Sequence, residues 1–254
     1  NDGLSRHFIK LVNKNFVYFM KKYFLQIKNI LLDAIFPIHC LGCDMEGTWL
    51  CDDCYKKISI DGFFYCPVCH GASKYGLPCD NCKNKIYLDQ HIAITTYKEK
   101  SLLGNLVHTL KYSYADDVLQ VFEKIIKDFL HKNSNIFLDS QAITFVPLHK
   151  KRYVERGFNQ AQALADILAR NTGLEVLDLL QRNKNTQHQA RLKREDRLKN
   201  VKNVFVSKKI EKNIPKKIII VDDVFTTGTT LSECAKILKS SGVEQVIGFS
   251  IARG

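Results

Sequence analysis

The stretch Lys217-Ile-Ile-Ile-Val-Asp-Asp-Val-Phe-Thr-Thr-Gly-Thr-Thr-Leu231 carries more of the fold and chemistry of this 254-residue chain than any other. Ile218 to Val221 form an unbroken apolar run, the pattern of a strand buried on both faces in a parallel sheet. Asp222 and Asp223 stand where that strand is expected to end. Thr226, Thr227, Gly228, Thr229 and Thr230 then make a small hydroxyl- and glycine-rich turn, and a helical apolar period starts at Leu231. In an open α/β sheet, ligands bind beyond the carboxyl ends of the strands. A Gly/Thr turn at a helix start offers backbone N–H groups, hydroxyls and a positive dipole end to a phosphate. Two acids beside such a cradle suit the vicinal hydroxyls of a sugar, with Mg²⁺ nearby. The plainer alternative is a strand, an acidic turn and a capped helix of some other α/β protein.

On either side of that stretch, from about residue 88, the chain alternates helix and strand. His91–Tyr97 reads as a strand, Leu102–Leu110 and Val118–Leu130 as helices, and Ile143–Val146 as a strand that stops at Pro147. Phe158–Arg170 is a strong helical pattern, Val201–Val206 a short strand, Leu231–Lys239 a helix and Gln245–Ile251 a final strand. Such alternation implies a parallel α/β sheet with right-handed crossovers.

Two basic segments bear on the same sheet edge. His149, Lys150, Lys151, Arg152 and Arg156 fall on a turn after the Ile143–Val146 strand, which brings cations toward Asp222 and Asp223. A diphosphate would need such a clamp; a solvated basic loop is the simpler reading. Gln181 to Asn203 includes Arg182, Thr186, Gln187, Gln189, Arg191 and Arg197. It reads either as a flap that closes over a diphosphate and excludes water, or as an exposed basic helix with no part in the chemistry.

Eight of the nine cysteines form four Cys-x-x-Cys pairs: Cys40/Cys43, Cys51/Cys54, Cys66/Cys69 and Cys79/Cys82. Two such knuckles complete one tetrahedral zinc site, so the eight thiolates serve two Zn²⁺ ions. The pairs are taken in chain order, although the short gaps also allow crossed pairing. Four-thiolate ligation leaves no open coordination position, so the zinc is expected to be structural. Disulfides or a redox dithiol are the alternative, but a redox motif does not need four copies. His39 and His70 flank the knuckles and could replace a thiolate, though four cysteines per site make that unnecessary, and the lone Cys234 reads as a core residue on its helix.

The net charge of +12 favours polyanionic partners. It is concentrated: residues 182–217 carry thirteen Lys/Arg against three Asp/Glu, and residues 1–36 six against two. A 45% hydrophobic content supports a core, while no run of about 18 uncharged apolar residues marks a membrane span. With no cleavable signal peptide evident and cysteines paired for metal, the expected compartment is the cytoplasm. Before the first knuckle, Leu4, Phe8, Leu11, Val12, Phe16 and Phe19 alternate with Lys10, Lys14, Lys21 and Lys22. This basic amphipathic extension either packs on its own protein or touches a membrane surface or partner.

The acids and threonine turn resemble the 5-phosphoribosyl-1-diphosphate (PRPP) motif of type I phosphoribosyltransferases, and the chain as a whole is similar to the ComF family of bacterial competence proteins. The match rests on Phe36-Pro37, the Cys-x-x-Cys pairs, Leu110-Lys111-Tyr112, Pro147-Leu148, Arg156-Gly-Phe-Asn-Gln160, Thr186-x-x-Gln189, Arg197-x-x-Asn200-Val201, Val221-Asp-Asp-Val-x-Thr-Thr-Gly-x-Thr230 and Ala252-Arg-Gly254. The basic amphipathic helical extension over 1–35 departs from the family's usual pattern. The resemblance covers roughly residues 30–254 and implies a double zinc-ribbon module over 36–87 and a parallel-sheet type I phosphoribosyltransferase fold over 88–254. It implies that Asp222 and Asp223 hold the ribose hydroxyls and help place Mg²⁺, and that residues 226–230 hold the 5′-phosphate. Lys150, Lys151, Arg152 and Arg156 would take the leaving diphosphate, supported by a flap bearing Gln189, Arg191 and Arg197. It further implies a role in natural transformation, handling single-stranded DNA with other competence proteins at the inner face of the cytoplasmic membrane. Three readings stay open: a DNA-handling competence factor with a working PRPP site, a salvage phosphoribosyltransferase for a free base, and a PRPP sensor without turnover. No hood subdomain that would choose an acceptor base is evident.

Overall fold

The computed structural model describes residues 37–98, 101–112, 117–184, 204–208 and 214–254. The extension expected over 1–35 and the flap residues Gln189, Arg191 and Arg197 lie outside them. The chain separates into two compact units, the first ending at Cys54 and the second running from Tyr55 to Gly254.

In the first unit, Cys40 and Cys43 lie on a tight turn closed by Asp44 N–H donating to Cys40 O and Cys40 N–H donating to Met45 O, both at 2.8 Å. A single helical turn, Asp52–Tyr55, carries Cys54 at the end of this unit. The second unit opens with a turn of the same design: Cys66 N–H donates to Gly71 O at 2.8 Å, and His70 N–H to Cys66 O at 3.2 Å. An antiparallel bridge between Phe63 and Ala93 fastens it to the first strand of the sheet.

That sheet has five strands: β1 (Gln90–Thr96), β2 (Ala142–Phe145), β3 (Glu175–Val176), β6 (Lys217–Phe225) and β7 (Gln245–Arg253), in the order β1-β7-β6-β2-β3. Every neighbouring pair is parallel, as the alternation of elements requires. A separate antiparallel ribbon joins β4 (Leu180–Arg182) to β5 (Phe205–Ser207). The helices are α1 (Leu102–Tyr112), α2 (Val118–Lys132), α3 (Lys150–Arg156), α4 (Gln160–Thr172) and α5 (Thr229–Ser240). Helix α4 packs on β2 and β6 and against α2, whose Phe129 meets Phe249 of β7, and α5 packs on β6 and β7. Ile218 to Val221 are fully buried, which explains why the central strand is apolar on both faces. Cys234 is buried on α5, as expected of a core residue.

Three features depart from the sequence expectations. The strand through the acids does not stop before them; it continues to Phe225 because Asp222, Val224 and Phe225 keep pairing with β7. The basic segment after β2 is helix α3, not a turn: His149 caps it by accepting Lys151 N–H, and Gly157 ends it in the left-handed conformation. The short strand near residue 205 pairs antiparallel with β4 and stays outside the parallel sheet.

Candidate active site and metal centres

The cleft arises from unequal strand lengths. Strand β2 pairs with β6 only as far as Phe145 opposite Val221, and Val146 N–H makes a last bond to Val221 O at 3.0 Å. Strand β2 ends at Phe145, and the chain then passes through Pro147 into α3. Strand β6 therefore runs on through Asp222 and Asp223 with β7 on one side, and the other side opens into a cleft of about 350 Å³. Asn159 holds the far wall in place: it caps α4 through Ala161 N–H at 3.1 Å and donates to Val146 O at 3.0 Å.

Asp222 and Asp223 both line this cleft with the whole of the 226–230 turn. Asp223 N–H donates to Asp222 Oδ1 at 2.9 Å, and Val224 N–H to Asp223 Oδ1 at 2.8 Å. Burial, and then the neighbouring Asp223 charge, push the Asp222 carboxyl up to about 7, against the pull of Lys111. Gly228 precedes α5 with φ of 73°, and Thr227 and Thr229 share a hydroxyl hydrogen bond of 2.9 Å across it. Helix geometry directs the first N–H groups of α5 toward this turn, giving the donors and dipole that an oxyanion needs.

The opposite wall is cationic. Arg152 and Arg156, one helical turn apart on α3, both face the cleft, and Arg182 of β4 joins them. Arg156 donates to Gln160 Oε1 at 2.9 Å and lies 5.3 Å from the Tyr112 ring centre. Burial first, then the charge of Arg152, draws Arg182 down to about 10; burial and the Arg156 charge lower Arg152 as well. Guanidinium groups that depress one another are relieved by a multiply charged anion between them. Lys150 and Lys151 are exposed on the first turn of α3 and are not among the residues lining the cleft.

Among the cleft residues without an assigned role from sequence, Lys111 stands against an acid. Lys111, in the last turn of α1, places its ammonium 2.5 Å from Asp223 Oδ2. The signal lay in the Leu110-Lys111-Tyr112 match, which names the residue without saying what it touches.

Each cysteine quartet gathers in chain order: Cys40, Cys43, Cys51 and Cys54 form one group and Cys66, Cys69, Cys79 and Cys82 the other, with all sulfurs of a group within 4.8 Å of one another. A tetrahedron with about 2.3 Å zinc–sulfur bonds has edges of about 3.8 Å. Cys43 and Cys51 sulfurs are 3.6 Å apart, and Cys69 and Cys79 sulfurs 3.8 Å. The donor sets thus suit a tetrahedral zinc ion. Burial opposes ionisation of Cys40 and Cys66, but backbone N–H groups outweigh it and bring both thiols down to about 6. One ligand of each group is thereby prepared as a thiolate.

The model for the phosphoribosyl transferase domain family matches residues 120–253. Competence protein F of Haemophilus influenzae is 32% identical over 85% of this chain and 96% of its own length. The chain belongs to the ComF family of phosphoribosyltransferase-domain proteins. Other family members include competence protein ComFC of Streptococcus pneumoniae, 30% identical over 82% of this chain and 89% of its own. DNA utilization protein YhgH of Escherichia coli is 30% identical over 85% of this chain and 97% of its own. In this ComF-family chain no helix among the described residues is long and apolar enough to cross a membrane.

Proposed function

We propose that the cleft binds PRPP and that the protein serves DNA uptake in natural transformation, in contact with single-stranded DNA. The observation that carries the PRPP reading is the convergence, in one cleft, of two carboxylates, a threonine turn at a helix start and three guanidinium groups. The carboxylates suit the ribose diol, the turn suits the 5′-phosphate, and Arg152, Arg156 and Arg182 suit the diphosphate. The exposed Lys150 and Lys151 are left to long-range attraction of the anion rather than contact. The hard carboxylate oxygens also suit Mg²⁺, which when bound would offset diphosphate charge. Competence and DNA-utilization names among the relatives support the cellular role. The concentration of positive charge over residues 182–217 supports a polyanionic partner.

Calorimetric titration of the full chain with PRPP and Mg²⁺ tests the reading. The Asp222→Asn/Asp223→Asn variant is expected to lose at least tenfold in affinity, and unchanged binding would refute the assignment. A screen of free bases and oligonucleotides for pyrophosphate release then separates a transferase from a PRPP-dependent sensor.

A further inference from the structure

Asp223 has both carboxylate oxygens engaged within the fold. Oδ1 accepts Val224 N–H at 2.8 Å, and Oδ2 meets the Lys111 ammonium at 2.5 Å. Both side chains are largely buried, with 24% of Lys111 and 12% of Asp223 exposed, so water weakens this pair little. Lys111 lines the same cleft as Asp222 and as Arg156 of the cationic wall, and its ammonium feels the charge of both. Oδ2 is itself fully covered, so a sugar hydroxyl can reach it only if a neighbour gives way, and the ammonium is the group that touches it. The displaced charge then needs a new partner, because a buried cation without one is costly. The only strong anion PRPP brings besides its 5′-phosphate is the diphosphate.

We propose that Lys111 is a diphosphate-binding residue held in exchange: it pairs with Asp223 until a pentose diol takes that carboxylate, and then turns its ammonium to the diphosphate. This rests on the PRPP reading above and makes the site select for a ligand bearing both groups. Ribose 5-phosphate breaks the ion pair and supplies no replacement; PRPP breaks it and supplies one. Lys111 thus converts diol recognition into discrimination for the diphosphate.

The test is calorimetric titration of full-length wild type and Lys111→Met with ribose 5-phosphate and with PRPP plus Mg²⁺. Lys111→Met is expected to weaken PRPP about tenfold or more while ribose 5-phosphate binds as well as before or better. Equal weakening of both ligands would overturn the exchange and leave Lys111 as a support for Asp223. Because Lys111→Met strands a buried carboxylate, Asp223→Asn and Lys111→Met/Asp223→Asn provide a second comparison without that charge. The double variant is expected to show a smaller PRPP to ribose 5-phosphate affinity ratio than Asp223→Asn alone, and equal ratios would overturn the proposal. Wild-type protein that binds neither ligand would instead refute the PRPP reading, and this inference with it.

Discussion

Gly228 combines a φ of 73° with an ideal Cβ position only 2.5 Å from the Phe225 ring, so both backbone strain and a clash oppose any side chain. Gly228→Ala is expected to cost about 2–4 kcal/mol in stability and to weaken PRPP binding more than tenfold. Denaturant unfolding and titration check both, and wild-type values in each would show that the turn tolerates a different shape. Asp222 makes the opposite bargain. Its carboxyl stands at about 7 in the fold against an ordinary 3.8, so the folded state holds the proton more tightly than the unfolded chain. That stabilisation is complete below about pH 4 and is lost as pH rises through about 7. Asp222→Asn is therefore expected to be more stable than wild type at pH 8, on the order of 1–2 kcal/mol once partial exposure is allowed for. The gap should close toward pH 4. Melting curves across that range decide it; parallel pH dependences would mean that the acid carries no burial penalty.

Strand β7 and the second cysteine turn show what elements add to residues. Arg253, at the end of β7, donates to Tyr65 O at 3.0 Å and Cys66 O at 2.7 Å. Its guanidinium also lies 5.1 Å from the centre of the Phe225 ring, whose stacking partner is the buried, neutral His91 at 3.7 Å. The second cysteine cluster is thus tied to the aromatic floor beneath Gly228. Arg253→Gln is expected to destabilise the protein by about 2–4 kcal/mol and to weaken PRPP several-fold while two zinc ions per chain remain. Unfolding curves, titration and zinc content measure the three separately, and an unchanged PRPP affinity would break the proposed tie. Elements with strong apolar patterns, such as α2 and α4, were legible in the sequence to within about two residues. Helix α3 was not, because it spans seven residues, buries none of them and owes its form to the caps at His149 and Gly157. Strands β3 and β4 escaped for a related reason: two or three residues are too few to show a period.

At the scale of the molecule the charge is uneven: basic residues are concentrated in 182–217 and 1–36, and the rest of the chain is close to neutral. Single-stranded DNA binding is expected to weaken steeply with salt, and neutralising lysines and arginines within 182–217 should flatten that slope. Filter binding at several salt concentrations measures it; a slope indifferent to those substitutions would assign the contact to another surface. By itself the sequence determined the buried strand, the adjacent acids, the threonine turn and the four Cys-x-x-Cys pairs, because each is written in periodicity or spacing over a few residues. Tertiary structure decided which cations face the acids. Lys111 reaches Asp223, Arg182 joins Arg152 and Arg156, and Arg253 grips the turn at Cys66, each across a long loop of chain. Those meetings depend on strand order and on β2 ending at Phe145 while β6 runs on to Phe225, and a local pattern cannot encode where two distant segments come to rest.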